Sequence, residues 1–235
     1  MLASLSAINV FLPQGTFTTN LPEQDWPASK PVMALVNIAI MVFLYGGLGL
    51  VGLKLSHKLG YPDIWDHEVT NKNRFFTPAI TGIIMGLFFI IADLIFSRFH
   101  NLGLLPHPPF PTSIIASAVA GIGEEIIFRL FFISFWTWMI AHVILKNRGR
   151  EIVFWSVAIF SAIAFAVSHI PSVMILYGFD SLGQIPIAMT IEIILLNGVL
   201  SIFAAYYFRK YGFLAAVSIH FWVDVVWHVI WGGLK

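Results

Sequence analysis

Three groups of acidic and imidazole side chains sit inside long apolar stretches of this sequence, and together they have the makings of a hydrolytic site. The first is Gly121-Ile122-Gly123-Glu124-Glu125-Ile126-Ile127-Phe128-Arg129. Glu125 and Arg129 are four residues apart, so a helix sets them on one face, where they neutralise each other. Glu124 is turned about 100° away and lacks that partner. The second group is Phe165-Ala166-Val167-Ser168-His169, with Pro171 just beyond, which predicts a kink or a helix end there. The third is His220-Phe221-Trp222-Val223-Asp224, where a His and an Asp again share a face. Glu124, His169, His220 and Asp224 would supply a carboxylate base, two imidazoles and an orienting carboxylate. That set suits activation of a water and stabilisation of an oxyanion. His169, His220 and Glu124 could also hold Zn²⁺, although nothing in the sequence requires a metal.

Each group also has a plain structural reading. A Glu–Arg pair inside a bundle is often helix glue, which is the role expected of Glu125 and Arg129. A lone His among aromatic residues is more often a packed, hydrogen-bonded residue than a catalyst. It is the ordered set of three that favours chemistry. Asp93 and Glu192 have no partner by spacing and are assigned to interhelical hydrogen bonds. His142 and His228 fall near span ends and are assigned to the interface. Gly121 and Gly123 allow close approach by a neighbouring helix.

The elements that must position these groups follow from composition. Of the 235 residues 58% are hydrophobic and 11% charged, against roughly a quarter charged in a soluble domain. Mean hydropathy is +0.85. The excess comes in runs, at 31–53, 78–99, 112–145, 152–178, 185–207 and 213–232, which reads as an all-α polytopic transmembrane bundle of about six spans. The stretch 112–145 would extend about 50 Å as a helix, beyond a ~30 Å hydrocarbon core. It must tilt, protrude or break, and a break would raise the helix count to seven or eight. Residues 1–30 are expected to be a mostly polar arm, with Phe11 and Trp26 at the interface. Residues 31–235 form a single transmembrane domain whose catalytic-type core is 112–232. Each charge within a span costs about 2.5–3.5 kcal/mol on insertion scales, so each needs a reason.

The basic residues give these spans a direction. Lys54, Lys58, Lys72, Arg74, Lys146, Arg148, Arg150, Arg209 and Lys210 fall in alternate loops, and the opposite side holds only Lys30, Arg98 and Lys235. The positive-inside rule then puts both ends of the chain outside the cytoplasm. On this map Glu124 lies about 18 Å and His169 about 26 Å from the starts of their helices, on opposite faces, so the two can meet in the outer half. His220, about 10 to 15 Å from the cytoplasmic end, is expected to sit too shallow to join them.

Net charge is +1, which gives no footprint for nucleic acid, and no Cys is present for a thiol nucleophile, a disulfide or a thiolate-ligated metal. A His-Glu-x-x-His zinc motif is missing, since His67-Glu68 leads only to Asn71. Gly-x-Gly-Asp and Gly-x-Ser-Gly are missing too. What remains, Glu124-Glu125-x-x-x-Arg129, then Phe165-x-x-x-His169, then His220-x-x-x-Asp224, resembles the CPBP family of intramembrane endopeptidases. That family includes the type II CAAX prenyl proteases and the bacterial Abi proteins. The resemblance covers roughly 112–232, with Asn197-Gly198 and Tyr211-Gly212-Phe213 in keeping with it.

The resemblance implies that Glu124 activates water with help from His169, and that His220 and Asp224 serve the oxyanion. Family members carry Asn or Asp at the last position. Asp224 can donate a hydrogen bond only if protonated, so it is assigned mainly to orienting or charging His220. The resemblance also implies a multi-pass protein of a prokaryotic plasma membrane, acting on a membrane-tethered peptide or lipidated protein, a prenylated CaaX or precursor peptide. The rivals are a non-proteolytic immunity or scaffold protein of the same family, and a transporter using Asp93, Glu124, Glu192 and Asp224 as a relay. Paired Gly/Pro-broken spans in matching halves, which a transporter would call for, are not seen.

Overall fold

A computed structural model describes residues 1–15 and 28–234. Among these the protein is all-helical: a short α1 (Leu2–Asn9) and six helices long and apolar enough to span a bilayer. The six are α2 (Lys30–Leu59), α3 (Lys72–Phe99), α4 (Thr112–Ile144), α5 (Arg150–Tyr177), α6 (Ile187–Tyr211) and α7 (Phe213–Leu234). The helix α1 forms within the stretch expected to be a polar arm, and it packs on α2 and α4. Phe11 is exposed; Trp26 lies outside the described residues.

Burial grades across the bundle. In the most apolar window of α7, 56% of residues are buried, against 6% for α2, so α7 is the central post and α2 lies at the edge. Phe43 (80% exposed) and Phe160 (68%) are side chains that only a hydrocarbon surround would stabilise.

Close contact with α7 depends on Gly82 and Gly86, one turn apart on α3. A Cβ on Gly82 would lie 2.5 Å from the Ile219 carbonyl oxygen, and one on Gly86 would lie 2.5 Å from the Val226 Cβ. Small residues at this spacing let two backbones meet in lipid. Gly86→Leu is expected to wedge the helices apart at about 1–3 kcal/mol or more, read as a lower thermal midpoint in detergent; an unchanged midpoint would show that the contact is dispensable.

The two ends of the bundle differ. At one end Arg150 donates to the Leu59 carbonyl, Arg209 pairs with Glu151, and the Arg209 guanidinium lies 4.4 Å from the Phe154 ring. Burial pushes the Tyr61 hydroxyl in this layer up to about 12. A single residue, Gly212, joins α6 to α7 here; its φ of +83° is one that L side chains rarely adopt, and a Cβ would meet the Asp63 carbonyl oxygen at 3.0 Å.

At the other end the segment 100–111 is strapped down. Asp93 accepts from the Leu105 backbone N–H at 3.0 Å, and His100 Nε2 lies 4.0 Å from the Glu192 carboxylate, both acids fully buried. These two acids therefore help to tie down a connecting segment. Thr112 donates to the Pro13 carbonyl beside them.

Candidate active site

The helix α4 neither ends nor breaks across its 33 residues. It changes winding instead: α-helical through Glu125, then π-helical over Ile126–Ile133. The same change occurs in α7, α-helical through Asp224 and π-helical over Val225–Trp231. A π turn packs more residues into each turn, so it shortens a long span, and such turns are frequent at functional sites. Both acidic groups of the site thus sit where the backbone departs from regular geometry.

Glu125 and Arg129 are fully buried and paired, Nε to Oε2 at 3.1 Å. The Arg129 guanidinium also lies 4.6 Å from the centre of the Phe165 ring, within cation–π range. The other Glu125 oxygen accepts from His220 Nδ1 at 2.8 Å. Gly121 allows this meeting: its Cβ position is 3.3 Å from the Phe221 backbone nitrogen, so α4 and α7 touch one turn before the carboxylate. Spacing along α7 pointed to Asp224 as the partner that orients His220. Asp224 Oδ2 stands 3.7 Å from Nε2, beyond a hydrogen bond, whereas Glu125 makes one.

The expected depth mismatch of His220 closes. Glu125 is thirteen residues into α4 and His220 seven into α7. At ~1.5 Å per residue these rises, about 20 and 10 Å, add to one hydrocarbon thickness when the helices enter from opposite faces.

Glu124 is turned away from Arg129, as its helical position requires. Its Oε2 lies 3.7 Å from His220 Nε2 and has no hydrogen-bond partner among the described residues, while the side chain stays 32% exposed. His169 falls at the break in α5, between Arg150–Ser168 and Ile170–Tyr177, with Pro171 in the first turn of the second piece. Its Nδ1 is 2.8 Å from the Phe165 carbonyl oxygen. A carbonyl only accepts, so Nδ1 carries the hydrogen and Nε2 of the neutral ring is the basic nitrogen. Phe165 meets both rings edge-on, at 4.9 Å from His169 and 5.8 Å from His220.

Glu124, His169, His220 and Asp224 line one cavity of about 310 Å³, together with Asn197 and His228. A smaller void of about 200 Å³, lined by Asn9, Tyr45 and Val119 among others, also reaches Glu124. His228, assigned to the interface from its place near a span end, instead lies two turns from His220 on the cavity wall, its Nδ1 3.0 Å from that of His107. The i, i+4, i+8 series His220, Asp224, His228 is the signal that could have found it. His142 lies at the opposite end of the bundle, exposed, with Nδ1 2.8 Å from Asn147 Oδ1.

Among the described residues no three His, Cys, Asp or Glu side chains are spaced to hold a metal ion. The Nδ1 atoms of His169 and His220 are committed to Phe165 and Glu125. These bonds fix both rings and leave their Nε2 atoms on the cavity side, where His220 Nε2 stands 3.7 Å from Glu124 Oε2. What the site does offer is a cavity-facing carboxylate, an imidazole whose Nδ1–H is held by a backbone carbonyl, and a second imidazole held by a buried ion pair.

The sequence model of one family, described as type II CAAX prenyl endopeptidase Rce1-like, matches residues 106–226, just over half of the chain and including all three groups. No curated protein and no solved structure matches the chain.

Proposed function

This chain belongs to the type II CAAX prenyl endopeptidase Rce1-like family, a family of membrane proteases, and on that premise we propose that it is a glutamate-dependent intramembrane endopeptidase that cuts a membrane-tethered peptide. The observation that carries the reading is the shared cavity: Glu124, His169 and His220, from three different helices, face one space.

In this mechanism Glu124 takes a proton from a water that His169 Nε2 helps to hold. The hydroxide adds to the peptide carbonyl carbon, and the carbonyl π electrons move to oxygen. His220, fixed through Nδ1–H to Glu125, presents Nε2–H of its imidazolium to that oxyanion. Asp224, 3.7 Å from the same nitrogen, compensates the imidazolium charge. When the tetrahedral intermediate collapses, the C–N bond breaks and Glu124 returns its proton to the leaving amine. One water is consumed, giving one carboxylic acid and one amine. No step needs a metal. The substrates that suit a tethered-peptide cutter are prenylated CaaX peptides and membrane-delivered precursor peptides.

The test is purified protein in proteoliposomes against a panel of both peptide classes, with and without a chelator. Wild type is expected to cleave, at a rate that chelation leaves unchanged. His169→Ala is expected to lose about 10²–10⁴-fold in rate while keeping its thermal midpoint. A wild type that binds these peptides and cuts none of them would favour the scaffold reading and end this one.

A further inference from the structure

The cavity runs from one end of the bundle inward to Glu124 and His220. Its wall is built from Leu105 and Pro106 of the 100–111 segment, Glu124 in the first half of α4, Ser172 after the break in α5, Ile193 early in α6, and His228 late in α7. All of these adjoin the end that holds the 100–111 segment.

Toward the other end the interior is closed. Beyond Glu125, the fully buried side chains of Arg129, Ile133, Phe154 and Phe208 fill the space between the cavity and that end. That closed end is also where the basic residues gather. The ion pair of Arg209 with Glu151, the bond from Arg150 to Leu59 and the packing of Gly212 on Asp63 bring three loops together there. Nine of the 13 Lys and Arg residues belong to this end, and among the described residues only Lys30 and Arg98 belong to the cavity end. Loops rich in Lys and Arg stay in the cytoplasm.

We infer that the cavity opens to the non-cytoplasmic face, and that its substrate is a membrane-anchored peptide whose scissile segment has been delivered to that face. A lipidated C-terminus presented from the cytoplasm meets the sealed end. The substrate half of this inference rests on the proteolytic reading; the orientation does not.

The chain has no Cys, so each Cys introduced is a unique reporter. Asn101 is exposed in the segment at the cavity end, Ser172 is exposed on the cavity wall, and His67 is exposed in the loop at the basic end. None of the three belongs to the proposed machinery. In intact cells a membrane-impermeant sulfonated maleimide is expected to label Asn101→Cys and Ser172→Cys. His67→Cys should react only after permeabilisation. The reverse pattern overturns the inference, and so does labelling of all three in intact cells. Labelling of Ser172→Cys only after permeabilisation or detergent overturns it as well. These readouts do not depend on turnover: an inactive protein with the expected pattern would refute proteolysis and leave the orientation standing.

Discussion

Glu124→Gln is expected to abolish the proposed peptide cleavage, by at least about 10²–10⁴-fold, and to leave the fold intact. Gln matches Glu in shape but cannot take a proton from water at neutral pH. Little holds Glu124 in the fold: its Oε2 makes no hydrogen bond among the described residues, and a third of the side chain faces open space. The expected pair of results is a rate at background and a thermal midpoint within error of wild type. Retained activity in Glu124→Gln would move the base elsewhere and sink the mechanism.

Arg129→Ala should behave in the opposite way. Removing the guanidinium leaves the Glu125 carboxylate fully buried beside His220, with its main counter-charge gone. Breaking a buried pair from one side costs about 3–5 kcal/mol. The loss appears as reduced yield and a lower thermal midpoint. Removing both charges with residues of similar volume, Glu125→Gln with Arg129→Met, should recover part of that loss, because an apolar replacement of the whole pair is often neutral. The double variant stays slow in catalysis, since the charged acceptor that fixes His220 is gone. Full stability in Arg129→Ala would show that the pair is not structural.

These two expectations trace how far the chain could be read before its fold was known. Spacing along one helix tells which side chains share a face, so the pairing of Glu125 with Arg129 and the separate direction of Glu124 were both legible. So were the six spans, because a bilayer selects for long apolar runs. What spacing cannot tell is which face of another helix comes alongside. The bond from Glu125 to His220 joins residues far apart in sequence and depends on the contact at Gly121. The family pattern put Asp224 beside His220 and carried no hint that Glu125 would be its hydrogen-bonded partner.

The winding changes after Glu125 and Asp224 were illegible for a related reason. The residues that form them, Ile126–Ile133 and Val225–Trp231, are ordinary apolar text. The contribution of the 100–111 segment was hidden as well: Leu105, Pro106 and Pro108 carry no chemical signature, yet they line the cavity. Asp93 and Glu192 looked like stray charges because their partners there lie outside the spans.

The one-residue joint at Gly212 has a mechanical consequence. Its backbone conformation and the lack of room for a Cβ hold α6 and α7 together at that end. His220 stands eight residues past this joint and hydrogen-bonds Glu125, whereas His228 stands sixteen past it and Ile193 near the far end of α6. A given change in the angle between the two helices would therefore displace the rim around Ile193 and His228 more than the centre at His220.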